Sequence, residues 1–207
     1  MRPSTKAKQE NLLDNAADLF FELGYEGTSL DQLIERCGGS KQTLYRYFGD
    51  KRGLLKAVVA RFTEQIRPVF EFRLETGAPP RAQMVDFACK YRTIICSPEL
   101  TRLFRLVISR ANHDPELVSF FLDRTARYAQ QSLMDYLTNL SRNGEIELTD
   151  IVLASDQFLG AIRGRGFIEA LFIGYEEEAS LCRRQAEYAV DRLLRGDAPE
   201  QRSEPAI

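Results

Sequence analysis

Apolar residues recur at three- and four-residue spacing along nearly the whole chain, and no stretch alternates apolar with polar residues between turn-forming pairs. Such a period puts one apolar stripe on each of a series of helices and leaves no half-buried strand, so an all-α fold is expected. Leu12, Ala16, Leu19, Phe20 and Leu23 mark a first helix over 5–23, ended where Gly24 can adopt a left-handed C-cap. Thr28 or Ser29 caps a short second helix that turns Leu30, Leu33, Ile34 and Cys37 inward and stops at Gly38-Gly39. Ser40 caps a very short third helix, 41–48. Asp50 caps a fourth over about 51–74, with Leu54, Leu55, Val58, Phe62, Ile66 and Phe70 at helical spacing until Gly77-Ala78-Pro79-Pro80 breaks the pattern.

Turn signals then divide the remainder into helices over 81–96, 99–110, 116–140, 150–172 and 176–194. They are separated by Ser97-Pro98, Asp114-Pro115, Asn143-Gly144 and Gly174, and closed by Gly196. About nine helices result. A chain of 207 residues suits one compact body with a small appended module. The expected division is a DNA-binding unit at 1–50, a larger helical unit at 51–196, and a polar, disordered tail at 197–207. The first ten residues are polar and no apolar run approaches the roughly 18 residues of a membrane span, so a soluble, cytoplasmic chain is expected.

Net charge is −2, but its distribution matters more than its sum. Between 36 and 56 stand Arg36, Lys41, Arg46, Lys51, Arg52 and Lys56 against Asp50 alone, a local excess of five positive charges. Two short helices joined by a tight glycine turn, the second basic on its outer side, meet the needs of a helix-turn-helix. On 41–48, Leu44, Tyr47 and Phe48 lie at i, i+3 and i+4 and can pin the helix to a core. Lys41, Gln42, Thr43, Tyr45 and Arg46 are left on other faces. Lys41, Gln42 and Arg46 have the reach for base edges in a major groove, while Thr43 and Tyr45 have hydroxyls suited to phosphate. Ser40 and the free amides behind it make an anion-friendly helix start.

Thr28-Ser29-Leu30, the run from Gly38 through Phe48, Asp50-Lys51 and Leu54-Leu55 together resemble the TetR-family DNA-binding domain over about residues 10–60. The resemblance implies that Thr28, Ser29 and Lys51 contact backbone phosphates and that Lys41 to Tyr47 form the recognition helix. Gly39 departs from the pattern, which more often has a small β-branched residue there. Phe87 to Arg110, with its Ser97-Pro98-Glu99 break, is similar to the C-terminal domain of AefR-like regulators, and weaker similarity extends to Gly160. That second resemblance implies a nine-helix architecture dimerising through the last two helices, and the family's usual outcome implies repression relieved by a ligand.

Large aromatics are frequent in the C-terminal stripes, where they either pack a core or line an apolar cavity. The candidate effector site is Phe62, Ile66, Phe70, Tyr91, Phe104, Arg105, Phe121, Tyr128, Phe158 and Arg163. An arginine there can meet an anionic ligand or a neighbouring carboxylate. Gly160, Gly164 and Gly166 interrupt one helical stripe at about 1 kcal/mol each relative to alanine, implying either close approach of another helix or a kink. With Ala154, Leu159, Ala161, Leu181, Ala189, Val190 and Leu193, they suggest a four-helix interface between two copies. An effector that tilts the fourth helix would then change the separation of two recognition helices.

No cofactor, metal or enzymatic activity is expected. His113 is the single histidine, and no HExxH, GxSxG or P-loop pattern occurs. Cys37, Cys89, Cys96 and Cys182 show no CxxC pairing and read as small, buried apolar residues. Cys89 and Cys96 lie seven residues apart on one helix, roughly 10 Å, too far for an unstrained disulfide. A thiol-sensing regulator and a helix-turn-helix that contacts only protein stand as alternatives.

Overall fold

The computed structural model describes residues 5–37, 40–72, 78–174 and 178–195. The Gly38-Gly39 turn, Gly77, residues 175–177, Gly196, the expected tail and the side chain of Cys37 lie outside the described residues. Ten helices and no strand occur among the described residues: α1 (Thr5–Gly27), α2 (Leu30–Cys37), α3 (Lys41–Phe48), α4 (Lys51–Phe70), α5 (Pro80–Ile95), α6 (Pro98–Ser109), α7 (Pro115–Arg124), α8 (Ala126–Arg142), α9 (Ile151–Ile173) and α10 (Ala179–Leu194).

Side-chain caps set most of these boundaries. The side chains of Ser40, Asp50, Ser97, Asp114 and Asp150 each accept a hydrogen bond from a first-turn backbone N–H, each such cap contributing about 1 kcal/mol. Gly24 has φ 71° inside α1, so the chain turns there and adds one more helical turn to Gly27. Gly174 closes α9 in the left-handed region. The expected single helix at 116–140 is two, broken at Thr125 (φ −126°, ψ −93°). Its buried hydroxyl donates to the Phe121 carbonyl, and its own carbonyl accepts from Ala129 N as α8 begins.

The fourth helix stops at Phe70, short of the expected 74. Phe72 N–H donates to Ser132 Oγ at 2.6 Å instead of continuing the ladder, and its ring lies 4.0 Å from that of Tyr136 and 4.3 Å from that of Phe87.

Ala16 and Phe20 of α1, Leu33 of α2, Leu44 of α3 and Leu54 and Val58 of α4 are buried together, and the same core runs on through Met84, Leu103, Leu133 and Ile162. Each such leucine contributes roughly 1.5–3 kcal/mol by leaving water. α4 packs on α1 and α3 and also on α5, α7 and α8. α5 in turn packs along α10 and against α9.

At Gly164, φ is 51° and ψ −164°, so the interruption in α9 is a kink. The buried Arg92 of α5 donates there, from one guanidinium nitrogen, to the carbonyls of Ile162 and Arg163 (2.8 Å to the latter). A side chain at 164 would stand 3.2 Å from that nitrogen. Gly160, by contrast, faces open space.

Candidate nucleic-acid interface and effector site

The second helix is held by a reciprocal pair: Ser29 Oγ accepts from Gln32 N–H (3.2 Å), and Gln32 Oε1 accepts from Ser29 N–H (2.7 Å). This capping box leaves Ser29 exposed at the helix start. Thr28 differs from expectation. It is 1% exposed, and its hydroxyl is turned inward onto the carbonyls of Leu19 and Gly24, so its side chain ties α1 to α2 and does not face solvent.

On α3, Leu44 is buried while Lys41, Gln42, Tyr45 and Arg46 are exposed, and Thr43 and Tyr47 are half-buried. Ser40 Oγ accepts from Thr43 N–H and lies 3.0 Å from the Thr43 hydroxyl, so both side chains share the helix start. Arg46 does not float: its guanidinium lies 4.9 Å from the centre of the Tyr47 ring and donates to the Tyr47 hydroxyl at 3.1 Å. Lys41 pairs with Asp31 of α2 at 2.7 Å, which raises its ammonium pKa. Both partners are more than half exposed, so this contact is weak and open to competition from phosphate.

A requirement invisible in the sequence fixes the turn from α3 to α4. A Cβ at Gly53 would stand 1.9 Å from the Phe48 carbonyl oxygen, so only glycine lets the Asp50 cap close against the end of α3. Lys51 follows directly, its Nζ 4.3 Å from the centre of the Tyr25 ring. Partial burial lowers its pKa, opposed by Glu26. The local excess of positive charge is smaller than the sequence count implies, because Arg36 pairs with Glu22 at 3.0 Å and Arg52 with Asp114 at 2.6 Å. Lys41 and Arg46 stand on α3 and Lys51 in the first turn of α4, whereas Lys56 Nζ lies 5.0 Å from the centre of the Phe120 ring on α7.

Two contacts bind this region to the C-terminal helices. Arg110, closing α6, stacks 4.2 Å from the Tyr25 ring and pairs with Glu26. Arg52 grips Asp114 through two nitrogens, at 2.6 and 2.8 Å, and reaches Glu116 at 2.7 Å. The Arg52 guanidinium holds the Asp114 carboxyl below the usual carboxylate range, burial opposing it and the Leu117 N–H assisting.

A carboxyl with a depressed folded-state pKa stabilises the fold above its unfolded value of about 3.9, and that contribution is lost as pH falls through the folded value. Asp114→Asn keeps an oxygen for the cap but loses the charge. In thermal melts against pH, the variant is expected to melt below the wild type at neutral pH, with the difference closing below about pH 4. A difference constant across that window would show that the ion pair is not its source.

The ten effector-site candidates do not converge on one place. Phe62 meets Phe21 of α1 edge-on at 5.5 Å, and Ile66 packs beside the core. Phe104 lies 5.0 Å from Phe121 and 5.3 Å from Phe167. Tyr128 lies under the Arg67 guanidinium at 4.9 Å, and Phe158 is buried behind the outer side of α9. Among the described residues neither arginine meets a carboxylate: Arg105 is exposed and donates to the Leu171 carbonyl, and Arg163 donates to the Leu159 carbonyl within its own helix.

Only Phe70 and Tyr91, 5.5 Å apart, belong to an extended aromatic series, continuing through Phe87 and Phe72 to Tyr136. The Tyr136 hydroxyl is buried with no hydrogen-bond partner among the described residues, and burial pushes its pKa up to about 12, Glu145 adding to it. Beside Phe72 and Phe87 opens a cleft of about 290 Å3, edged by Pro68, Gln83, Asp86 and Lys90. A second cleft, about 410 Å3, runs between the outer sides of α9 and α10 past Leu153, Gln157, Ala161, Tyr188 and Leu193. Sequence reasoning missed Arg92, Tyr136 and Phe72, whose roles depend on partners far along the chain.

Residues 12–58 match the family described as bacterial regulatory proteins, tetR family, and residues 82–196 match the C-terminal domain of AefR-like transcriptional repressors. The chain is 30% identical over 145 residues to the HTH-type transcriptional regulator YezE of Bacillus subtilis, covering 68% of this chain and 74% of that protein. It is 27% identical over 172 residues to the HTH-type transcriptional repressor ComR of Escherichia coli, covering 82% and 80%. Its fold superposes with a TM-score of 0.83 on a TetR-family regulator from Mesorhizobium loti, at 25% identity, covering 94% of this chain and 98% of the other.

Proposed function

This chain belongs to the TetR family of bacterial transcriptional regulators, and on that premise we propose that it is a cytoplasmic, homodimeric repressor that leaves a palindromic operator when a small, largely apolar effector binds its C-terminal helices. The observation that carries the reading is the outer face of α3. Lys41, Gln42, Tyr45 and Arg46 stand in solvent beside the exposed Ser29 and the half-buried Lys51, on a helix whose start is capped by Ser40. Lys41, Gln42 and Arg46 read base edges; Ser29, Ser40, Thr43, Tyr45 and Lys51 hold phosphates; Tyr47 orients Arg46.

Residues 1–50 form the reading unit and 51–196 the effector and dimer unit. Repression is supported by the repressors among the matched proteins. We put the effector along Phe70, Tyr91, Phe87, Phe72 and Tyr136, a reading supported by a cleft, an apolar wall and a buried hydroxyl without a partner among the described residues, at the end of α4. A ligand there acts on the far end of the helix that begins with Lys51, and the Arg52–Asp114 clamp passes the shift to the α6–α7 turn. DNA and effector must then weaken each other's binding equally.

Dimerisation is placed on α9 and α10, which carry Val152, Leu153, Ile168, Phe172, Ile173 and Tyr188 in solvent in the single chain. Large apolar side chains gathered in solvent on two neighbouring helices mark a protein contact surface.

Selection of DNA fragments by the purified protein at low salt, where phosphate contacts are strongest, tests the reading. An enriched palindrome is the expected result. Recovery without sequence preference, or no recovery, would instead favour a helix-turn-helix that contacts protein.

A further inference from the structure

The two cysteines that the structure brings together are not the pair on one helix. Cys89, half-buried on α5, and Cys182, buried on α10, lie within reach of each other where these two helices pack, and the Cys182 side chain, like the Arg183 charge, favours the Cys89 thiolate. The helices run antiparallel at this contact, because Arg81 at the start of α5 pairs with Asp191 near the end of α10 at 2.6 Å. Eight residues from Arg81 to Cys89 run against nine from Cys182 to Asp191, roughly 12 Å against 14 Å of helix, so the two cysteines stand at nearly the same level along the helix pair. Buried Ala88, Ala186 and Ala189 keep bulky groups out of these two helices near the thiols.

We propose that Cys89 and Cys182 are a site of oxidative modification, closing to an intrachain disulfide that staples α5 to α10 when the protein meets a small-molecule disulfide.

The exchange balances in two steps. The Cys89 thiolate attacks one sulfur of the small disulfide R–S–S–R, whose S–S bond breaks, and the departing thiolate takes up a proton as R–SH. Cys182, having lost its proton to solvent, then attacks Cys89 Sγ; the mixed disulfide breaks and a second R–SH leaves. Two protein thiols are oxidised and one small disulfide is reduced. Cys89 is the entry point because it is the more exposed. Burial raises its pKa while Arg183 favours the thiolate, so exchange is expected to quicken as pH rises. Forming the bond draws the sulfurs to about 2.0 Å. The staple joins the helix that follows α4 to one proposed for the dimer interface, and it operates whether or not an effector binds.

The test exposes reduced, full-length protein to oxidised glutathione, traps remaining thiols by alkylation, and maps peptides without reduction. The expected product is a monomer-length chain with Cys89 linked to Cys182, two of its four thiols lost, and a higher melting temperature without reductant than with it. Cys182→Ser should stop at glutathione on Cys89, Cys89→Ser should leave Cys182 unmodified, and Cys96→Ser should behave as wild type. A wild-type product that stays as the mixed disulfide, or that links Cys89 to Cys96 or to another chain, would overturn the proposal.

Discussion

Arg46→Ala is expected to lower affinity for the selected duplex by roughly thirty-fold or more and to relax its sequence preference at one position in each half-site. A bidentate arginine–guanine contact is worth about 1–3 kcal/mol, and a homodimer makes it twice, so the combined loss is roughly 2–6 kcal/mol. The structure gives a reason to choose this residue over its neighbours. The Tyr47 ring and hydroxyl hold the Arg46 guanidinium at the exposed side of α3, reducing the freedom it must lose on binding. Tyr47→Phe keeps the ring and removes only the hydroxyl, so its effect should stay below about tenfold. Anisotropy titrations against the selected duplex and a scrambled one, at several salt concentrations, separate the possibilities. If Arg46 holds a phosphate instead, affinity falls equally for both duplexes and the salt dependence loses about two units of slope, one for each subunit.

The second large effect is expected from Leu153→Glu combined with Tyr188→Glu. Both side chains are exposed in the single chain, at 52% and 71%, and both edge the cleft between α9 and α10. Charges there cost the monomer fold little, whereas two copies facing one another would bury unpaired carboxylates. Sedimentation should show a monomer with an unchanged helical spectrum. Operator affinity should fall by roughly a hundredfold to ten-thousandfold, because each reading unit then binds alone. Ile108→Glu, an exposed apolar position on α6, should leave the dimer intact. A double variant that still sediments as a dimer would place the interface elsewhere.

The sequence made local features legible and long-range ones opaque. Ser40, Asp50 and Gly174 marked helix ends correctly because a cap depends on residues within one turn. The break at Thr125 carried no such mark: Arg124-Thr125-Ala126 contains no glycine or proline, and the interruption is made by a buried hydroxyl bonding the preceding turn. The outer face of α3 was readable from spacing alone, whereas Thr28 was not, since its hydroxyl is claimed by carbonyls of α1 that pattern cannot place. Gly53 could be read only once Phe48 was in position.

The aromatic count showed abundance without location. Phe62 packed on Phe21, Phe104 and Phe121 packed on each other, and the series ending in a hydroxyl with no partner among the described residues turned on Phe72 and Tyr136, outside the expected set. The cysteine pair shows the same limit, since helical spacing could exclude Cys89 with Cys96 but could not bring Cys182 across from α10.

Hydroxyl-radical footprinting of the wild-type protein on its selected duplex tests most directly whether two copies of α3 read DNA together. Two protected patches on one side of the duplex are predicted, their centres about 34 Å or a multiple of one helical turn apart, with the Arg46-dependent base pair inside each. A single patch, or protection that follows no sequence, would contradict a dimer reading paired half-sites.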